Sequence, residues 1–311
     1  MPLLSADFLL RYALQGDYTV TKTVHNDTYP AIDPTSLKPS HEGRAVFISG
    51  ASRGIGYSIA ISYARAGASY IAIGARSDLT VLAKEIETAA QEAGRPKPKV
   101  LSLKLDVTDR VSVEAAAGEI RNAFGRLDVV VSNAASLGEM QLIADTDPDV
   151  WWNTWELNVK GQYLVMRTFI PLLLDTADGL KTICTVASVG AHLQTPTLSA
   201  YQPSKLANLR ISEFASIEYA DRGLIAYSVH PGNVPTPLAG GPELTNIPDP
   251  VKVAYTETAE LPADTIAYLT AERREWLAGR YVNCTWDMLE LEAQSEAIAS
   301  GDALKVRLVL P

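Results

Sequence analysis

The chain has little cysteine, no long apolar run and no surplus of positive charge, and each shortage excludes something. Its two cysteines, Cys184 and Cys284, sit in apolar segments without metal-ligand spacing, so two buried reduced thiols are expected rather than a disulfide framework or a metal site. No stretch approaches the roughly 18 apolar residues of a membrane span. The N-terminal Phe8–Leu10 run is short and flanked by Asp7 and Arg11, which supports neither a span nor a secretory signal. A cytoplasmic location is therefore the expectation. The net charge of −9 argues against nucleic acid or an anionic membrane as partner and leaves an anionic small molecule dependent on a local cluster of donors. What remains is an ordinary globular composition over 311 residues, 47% hydrophobic and 20% charged, sufficient for a full core.

Residues 1–43 differ from the rest of the chain. They carry Pro30, Pro34 and Pro39, several Thr and Asp, and one helical patch near Ser5–Leu14, which reads as an N-terminal arm packed on the domain or on a neighbouring subunit. From Arg44 onward, buried strand patterns alternate with helical ones. Strands are expected at Ala45–Ser49, Tyr70–Ile73, Val100–Leu105, Leu127–Ser132, Thr182–Val186, Leu224–His230 and Arg280–Cys284. Helices are expected at Ile55–Ala66, Leu79–Ala93, Val111–Phe124, Asp149–Leu174, Tyr201–Ala220 and Asp264–Ala271. Such alternation predicts an α/β fold: a single-domain, Rossmann-like, doubly wound parallel sheet of about seven strands with helices on both faces, spanning 44–288. Ligands of such sheets bind at the carboxyl ends of the strands, which places the first glycine turn, Ser132–Ala135 and Ser188 together. The Pro- and Gly-rich segment 231–262 reads as a lid over a substrate. Residues 289–311 form a C-terminal extension, expected to hold a helix and a short apolar end.

The stretch Ser188–Lys205 carries the chemistry. Tyr201 and Lys205 stand four apart at the start of a helix, on one face, where a phenol and an ammonium can share acid–base work. The nearby cation is expected to draw the phenol down from its reference pKa of about 10. Gly50, Gly54 and Gly56 follow the first strand and open a helix, as a turn that admits a pyrophosphate to a helix N-terminus would. The second strand ends in Gly74, Ala75, Arg76 and Ser77, with no acid to hold a ribose 2′-hydroxyl, and Arg53 lies in the glycine turn. Guanidinium groups suit a 2′-phosphate, so NADP(H) is preferred to NAD(H). Asp106, closing the third strand, could meet an adenine amino group or cap the next helix.

Taken in order, these motifs resemble the classical short-chain dehydrogenase/reductase family. Ser49–Gly56 (SGASRGIG) resembles its glycine motif, Asp106–Asp109 (DVTD) its adenine-side motif and Asn133–Ala135 (NAA) its NAG. Asn158, Val159 and Gly161 resemble its NVxG helix motif, Ser188 with Tyr201 and Lys205 its serine and YxxxK, and Pro231, Gly232 and Thr236 its PGxxxT. Ser49 in place of Thr keeps the hydroxyl, and Ala135 in place of Gly adds a methyl near the cofactor.

The resemblance implies a catalytic set of Asn158, Ser188, Tyr201 and Lys205. Tyr201 would exchange a proton with the substrate oxygen, Lys205 would lower the Tyr201 pKa and hold the nicotinamide ribose, and Ser188 would bond the substrate oxygen. Asn158 would hold a water linking Lys205 to solvent. It also implies cofactor contacts from Gly50, Ser52, Arg53, Gly54, Ile55, Gly56, Arg76, Ser77, Asp106, Val107, Asn133, Ala134, Ala135, Tyr201, Lys205, Pro231, Gly232, Val234 and Thr236, and no metal. The implied activity is NADPH-dependent reduction of a ketone, or oxidation of a secondary alcohol, on a medium-sized hydrophobic small molecule, in the manner of family members from secondary metabolism. Alternatives are imine reduction, isomerisation, dehydration or cyclisation at the same site, or a non-catalytic nucleotide-binding sensor or structural subunit. The resemblance further implies a homodimer or homotetramer built through the two long helices. Beyond the motifs, His192 is a candidate for touching substrate, Trp151, Trp152 and Trp155 for packing or a subunit contact, and Leu238, Leu244 and Tyr255 for an apolar pocket wall.

Overall fold

Five-residue runs such as AVFIS and TICTV are apolar on both sides of the pleat, which suits a strand covered on both faces. The computed structural model, which describes residues 18–310, places them in one sheet of seven parallel strands, ordered β3-β2-β1-β4-β5-β6-β7. The strands are β1 Ala45–Ser49, β2 Tyr70–Ala75, β3 Lys99–Lys104, β4 Val129–Ser132, β5 Thr182–Val186, β6 Ile225–His230 and β7 Tyr281–Asn283. The main helices are α1 Gly54–Arg65, α2 Thr80–Glu92, α3 Arg110–Phe124, α4 Pro148–Trp155, α5 Gly161–Asp175, α6 Tyr201–Glu218 and α7 Glu260–Leu269, followed by the short α8 Met288–Glu292 and α9 Ser295–Ala299.

The period of two along each strand divides the core. Val46, Ile48, Ile71, Ile73, Val129 and Val131 point to one face, where they pack with Ile59 and Tyr63 of α1, Ile86 of α2 and Ile266 of α7. Phe47, Ala72, Val130, Ile183 and Ala226 point to the other, against Ile120 of α3, Phe169 of α5 and Ala215 of α6. A shift of one residue in any inner strand would exchange the two sets, so both faces fix the register. Ser49 pairs with Gly74, Ser132 with Thr185, and Val186 with Val229. The inner strands therefore end level, and the loops after β1, β4, β5 and β6 rise from the same edge. Strand order reverses between β1 and β4, which is the switch point of the sheet.

The continuous helix expected over 149–174 is instead α4 and α5 joined by a π turn, Glu156–Lys160, in which Gly161 N–H reaches back to Glu156 O. The inserted residue rotates Asn158 inward, where it is buried. Asp109, not Asp106, caps α3, accepting from Val111 N–H at 3.0 Å. The tail folds as two short helices rather than one, and Leu308–Leu310 are exposed.

The helix expected near Ser5–Leu14 lies outside the described residues. Residues 18–29 run across the carboxyl edge: Val24 bridges Trp286, Thr258 N–H donates to Asn26 O at 2.9 Å, and Thr28 Oγ1 donates to Asp264 at 2.7 Å. Cys184 and Cys284 are both free and buried, as expected.

Candidate active site

Two hollows open at the carboxyl edge. The first is a cleft of about 590 Å³ over the switch point. Gly50, Ser52, Arg53, Gly54 and Ile55 line it from the β1–α1 turn, Arg76 and Ser77 from the end of β2, Asp106 and Val107 from the end of β3, Asn133, Ala134 and Ala135 from the end of β4, and Thr236 from across. The turn can be this tight only because two side chains are missing. A Cβ on Gly50, whose φ is +67°, would stand 2.8 Å from Ala134 Cα, and one on Gly56 would strike Gly50 O and Asn133 Nδ2. Gly56 thus acts from beneath the cleft and does not line it. Asn133 Nδ2 donates to Ser49 O and Gly50 O at 3.2 and 3.1 Å, and Ser49 Oγ accepts from Asn133 N–H at 3.0 Å. The hydroxyl that Ser49 keeps in place of Thr therefore locks the β1 turn to the end of β4.

Arg53 and Arg76 are exposed at the rim. Burial works to raise the Asp106 carboxyl, but bonds from Thr108 and the fields of Arg76 and Lys160 leave it below the usual carboxylate range. A cradle with no room for a Cβ, a helix N-terminus and two guanidinium groups fit a dinucleotide. The residues present would hold a pyrophosphate at Gly50–Ile55 and an adenosine end between Arg76 and Asp106.

The second hollow, about 210 Å³, adjoins the first: Ile55, Asn133, Ala135, Leu137, Thr236 and Leu238 line both. Ser188, Tyr201 and Lys205 line it together. Ser188 sits one residue beyond Ala187, at the head of a short 3-10 turn, and its Oγ accepts from Gly190 N–H at 3.0 Å. Tyr201 is the first residue of α6, and Lys205, four residues on, is buried with its Nζ donating to Val186 O at 2.9 Å.

The electrostatics correct one expectation. Lys205 does not draw Tyr201 down here: removal from water pushes the phenol up, with a bond to Ser188 working against that rise. The reason is geometric. Lys205 Nζ is directed at the Val186 carbonyl and stands 5.6 Å from the Tyr201 ring centroid. Burial also lowers the Lys205 ammonium from 10.5 to about 8.

Asn158, in the π turn, is buried and lines neither hollow. Its Oδ1 accepts from Ser136 N–H at 2.8 Å, and its Nδ2 donates to Ser136 O and to Ser204 Oγ, both at 2.9 Å. Ser204 Oγ in turn donates to Tyr201 O at 2.6 Å. Asn158 thereby joins the loop after β4 to the start of α6.

Pro231, Gly232 and Val234 line the second hollow rather than the cleft. Leu238 and Tyr255 form part of its wall as expected, whereas Leu244 packs behind them with Ala239 and Ile247. His192 is not brought to Tyr201. Its ring packs edge-on against Tyr281 at 4.7 Å, and it lines a shallow depression on the far side of the 193–198 loop. Trp151, Trp152 and Trp155 stack on one another, with Trp152 exposed. Residues not anticipated include Ser136, Leu137 and Leu157 in the cleft and Met140, Leu193, Gln202, Ile247 and Val251 in the pocket. Only Gln202, inside the YxxxK run, carried a signal of position.

Strand order, the glycine turn and the grouping of Ser188, Tyr201 and Lys205 define one class of protein, and the chain belongs to the short-chain dehydrogenase/reductase family of oxidoreductases, whose fold binds a nicotinamide dinucleotide. The family's sequence model, described as short chain dehydrogenase, matches residues 44–244. The short chain dehydrogenase pigC of Monascus ruber is 53% identical over 294 residues, covering 94% of this chain and 95% of that one. A short-chain type dehydrogenase/reductase from Mycobacterium marinum has a similar structure, with a TM-score of 0.71 and 25% identity over 82% of this chain and 97% of that one. A short chain dehydrogenase from Shigella flexneri, solved in complex with NADP, matches with a TM-score of 0.65 and 26% identity over 78% of this chain and 97% of that one.

Proposed function

We propose that the protein is an NADPH-preferring oxidoreductase that reduces a ketone, or oxidises a secondary alcohol, on a medium-sized hydrophobic small molecule in secondary metabolism. The carrying observation is that Tyr201, Ser188 and Lys205 share an apolar pocket that opens directly onto the glycine-lined cleft. Preference for NADPH rests on Arg53 and Arg76 at the rim and on the absence of an acid at the end of β2. The NADP complex of the Shigella flexneri relative is consistent with that preference.

NADPH supplies the hydride. Tyr201, held protonated by burial, gives its proton to the carbonyl oxygen as that oxygen gains charge. Ser188 Oγ donates to the same oxygen and stabilises the developing negative charge. Lys205, cationic at neutral pH, offsets the phenolate left on Tyr201 and holds the nicotinamide ribose. Asn158 keeps the Ser136 loop and the start of α6 in fixed relation, and proton return runs past it through a bound water. The segment 231–262 serves as a lid and the protein acts in the cytoplasm as a homodimer or homotetramer. Among the described residues no helix is long and apolar enough to cross a membrane.

The test follows the nicotinamide absorbance of NADPH and, separately, NADH with purified protein and a panel of uncharged cyclic and aryl ketones. Ketone-dependent loss of the NADPH signal, faster than with NADH, is the expected result. Tight NADPH binding with no oxidation of NADPH by any ketone, and no reduction of NADP⁺ by any of the matching alcohols in reverse, would contradict it.

A further inference from the structure

The reductase reading accounts for one oxygen of the substrate, the carbonyl oxygen between Ser188 and Tyr201. The pocket holds one more phenol. Tyr255 lines the pocket from the end of the 3-10 turn Asp249–Ala254, and its ring packs on the Ala239, Leu244 and Ile247 cluster. Tyr255 shares the pocket lining with Tyr201 and lies two residues before Glu257, and its hydroxyl makes no hydrogen bond to another side chain or backbone group among the described residues. Glu257 is engaged elsewhere, accepting from Asn233 N–H at 2.9 Å and from Thr256 Oγ1 at 3.2 Å. Burial raises the Tyr255 pKa, so the group stays a neutral donor throughout the working pH range.

Charge narrows the occupant further. Lys205 is the one charged side chain among the residues lining the pocket; Val186 O takes one of its three N–H groups, and on the reductase reading the Tyr201 oxygen and the nicotinamide ribose take the others. His230, at the floor, is held neutral because burial lowers it to about 3. A carboxylate or phosphate in this pocket would lose its hydration with no free cation to replace it. The volume, about 210 Å³, is below the roughly 300–1,000 Å³ of sites for drug-sized ligands, which favours a compact body.

Resting on the reductase reading, we infer that the substrate is a compact, uncharged carbonyl compound with a second oxygen away from the reacting carbonyl, and that Tyr255 recognises this second oxygen by donating a hydrogen bond to it. The Tyr255 hydroxyl is partly open to solvent rather than sealed off, so a ligand oxygen that displaces its water gains a direct bond in a drier setting. A ligand with CH in place of C–OH leaves the phenol unpaired and binds less well, which makes Tyr255 a specificity-determining residue for the reaction that Tyr201 performs.

Calorimetry on protein saturated with NADP⁺ tests this without requiring turnover. The ligands are α-tetralone, the set of hydroxy-α-tetralones that walks one hydroxyl around the bicycle, and a carboxy-α-tetralone as the charged control. At least one hydroxy isomer should bind roughly five- to tenfold more tightly than α-tetralone, the scale of one neutral hydrogen bond. Tyr255→Phe, which keeps the ring and its packing, should abolish that preference while changing α-tetralone affinity by less than about twofold. The inference is overturned if no isomer is preferred, if the preference survives in Tyr255→Phe, if the carboxylate binds best, or if none of the ligands binds. NADPH oxidation with the same compounds reads the reductase proposal separately: a Tyr255-dependent preference without oxidation would remove the reaction and leave the recognition standing.

Discussion

The cleft and the pocket share six lining residues and the same sheet edge, yet they are built differently. The cleft is made of backbone: glycines without room for a Cβ, strand ends held level by the ladder, and Asn133 and Ser49 tying two turns together. To the proposed dinucleotide it offers backbone N–H groups and, at the rim, guanidinium groups. The pocket is made largely of side chains on loops, namely the 189–198 turn and the 231–255 segment, and is mostly apolar, with Gln202, Asn233, Thr236 and Tyr255 among its polar members. A site made of backbone tolerates little change and accepts one kind of ligand. A site made of loop side chains can be retuned for substrate without disturbing the fold.

If that contrast is right, damage to the cleft should be severe and general. Gly56→Ala should cost about 1–3 kcal/mol of stability through overpacking and should abolish NADPH binding, because its methyl displaces Gly50 O and Asn133 Nδ2. Thermal unfolding and a cofactor titration check both, and wild-type values would show that the turn is not close-packed. A smaller effect is expected at the rim. Arg76→Ala should weaken NADPH by roughly ten- to a hundredfold, the scale of charge-assisted bonds, and change NADH by less than about twofold. Equal losses for the two cofactors would take Arg76 away from the 2′-phosphate.

Lys205, in the lining of the pocket, has a folded pKa of about 8, below its unfolded 10.5. In that window the unfolded chain still holds a proton that the folded chain has released, so raising pH favours the folded state. Relative to Lys205→Met, the wild type should gain stability as pH climbs from 8 to 10.5, seen as a changing gap between the two Tm curves. A constant gap would mean that the ammonium titrates as in water. The smallest effect belongs to the pocket's frame. Asp27→Ala removes the acceptor of Thr258 Oγ1, a 2.6 Å bond at the foot of the 231–259 segment. It should cost about 1 kcal/mol and leave NADPH affinity unchanged; a parallel loss of cofactor affinity would show that the two regions are not separable.

The same contrast separates the residues that local sequence reveals from those it hides. Gly50, Asn133, Ser188, Tyr201 and Lys205 were legible because backbone turns and short helix spacings act over a few residues, and the parity of each strand assigned its faces. The π turn at Glu156–Lys160 was not legible, because its cause is tertiary: Asn158 pairs with Ser136 and Ser204, which come from two other parts of the chain. The direction of the Tyr201 shift was missed for a similar reason. Spacing placed Lys205 beside the phenol but could not tell that its ammonium donates to Val186 O or that removal from water would dominate. Of the pocket wall, Leu238 and Tyr255 were anticipated, but Met140, Leu193 and Val251 come from loops whose paths no local pattern specifies.

The most direct measurement pairs two readouts on one preparation of Tyr201→Phe: the NADPH dissociation constant, and the rate of NADPH oxidation with a ketone that the wild type reduces. The account predicts a dissociation constant within about twofold of wild type and a rate lower by at least about 10²–10⁴-fold, the contribution of a positioned proton donor. Turnover at the wild-type rate, or loss of NADPH binding along with turnover, would contradict it.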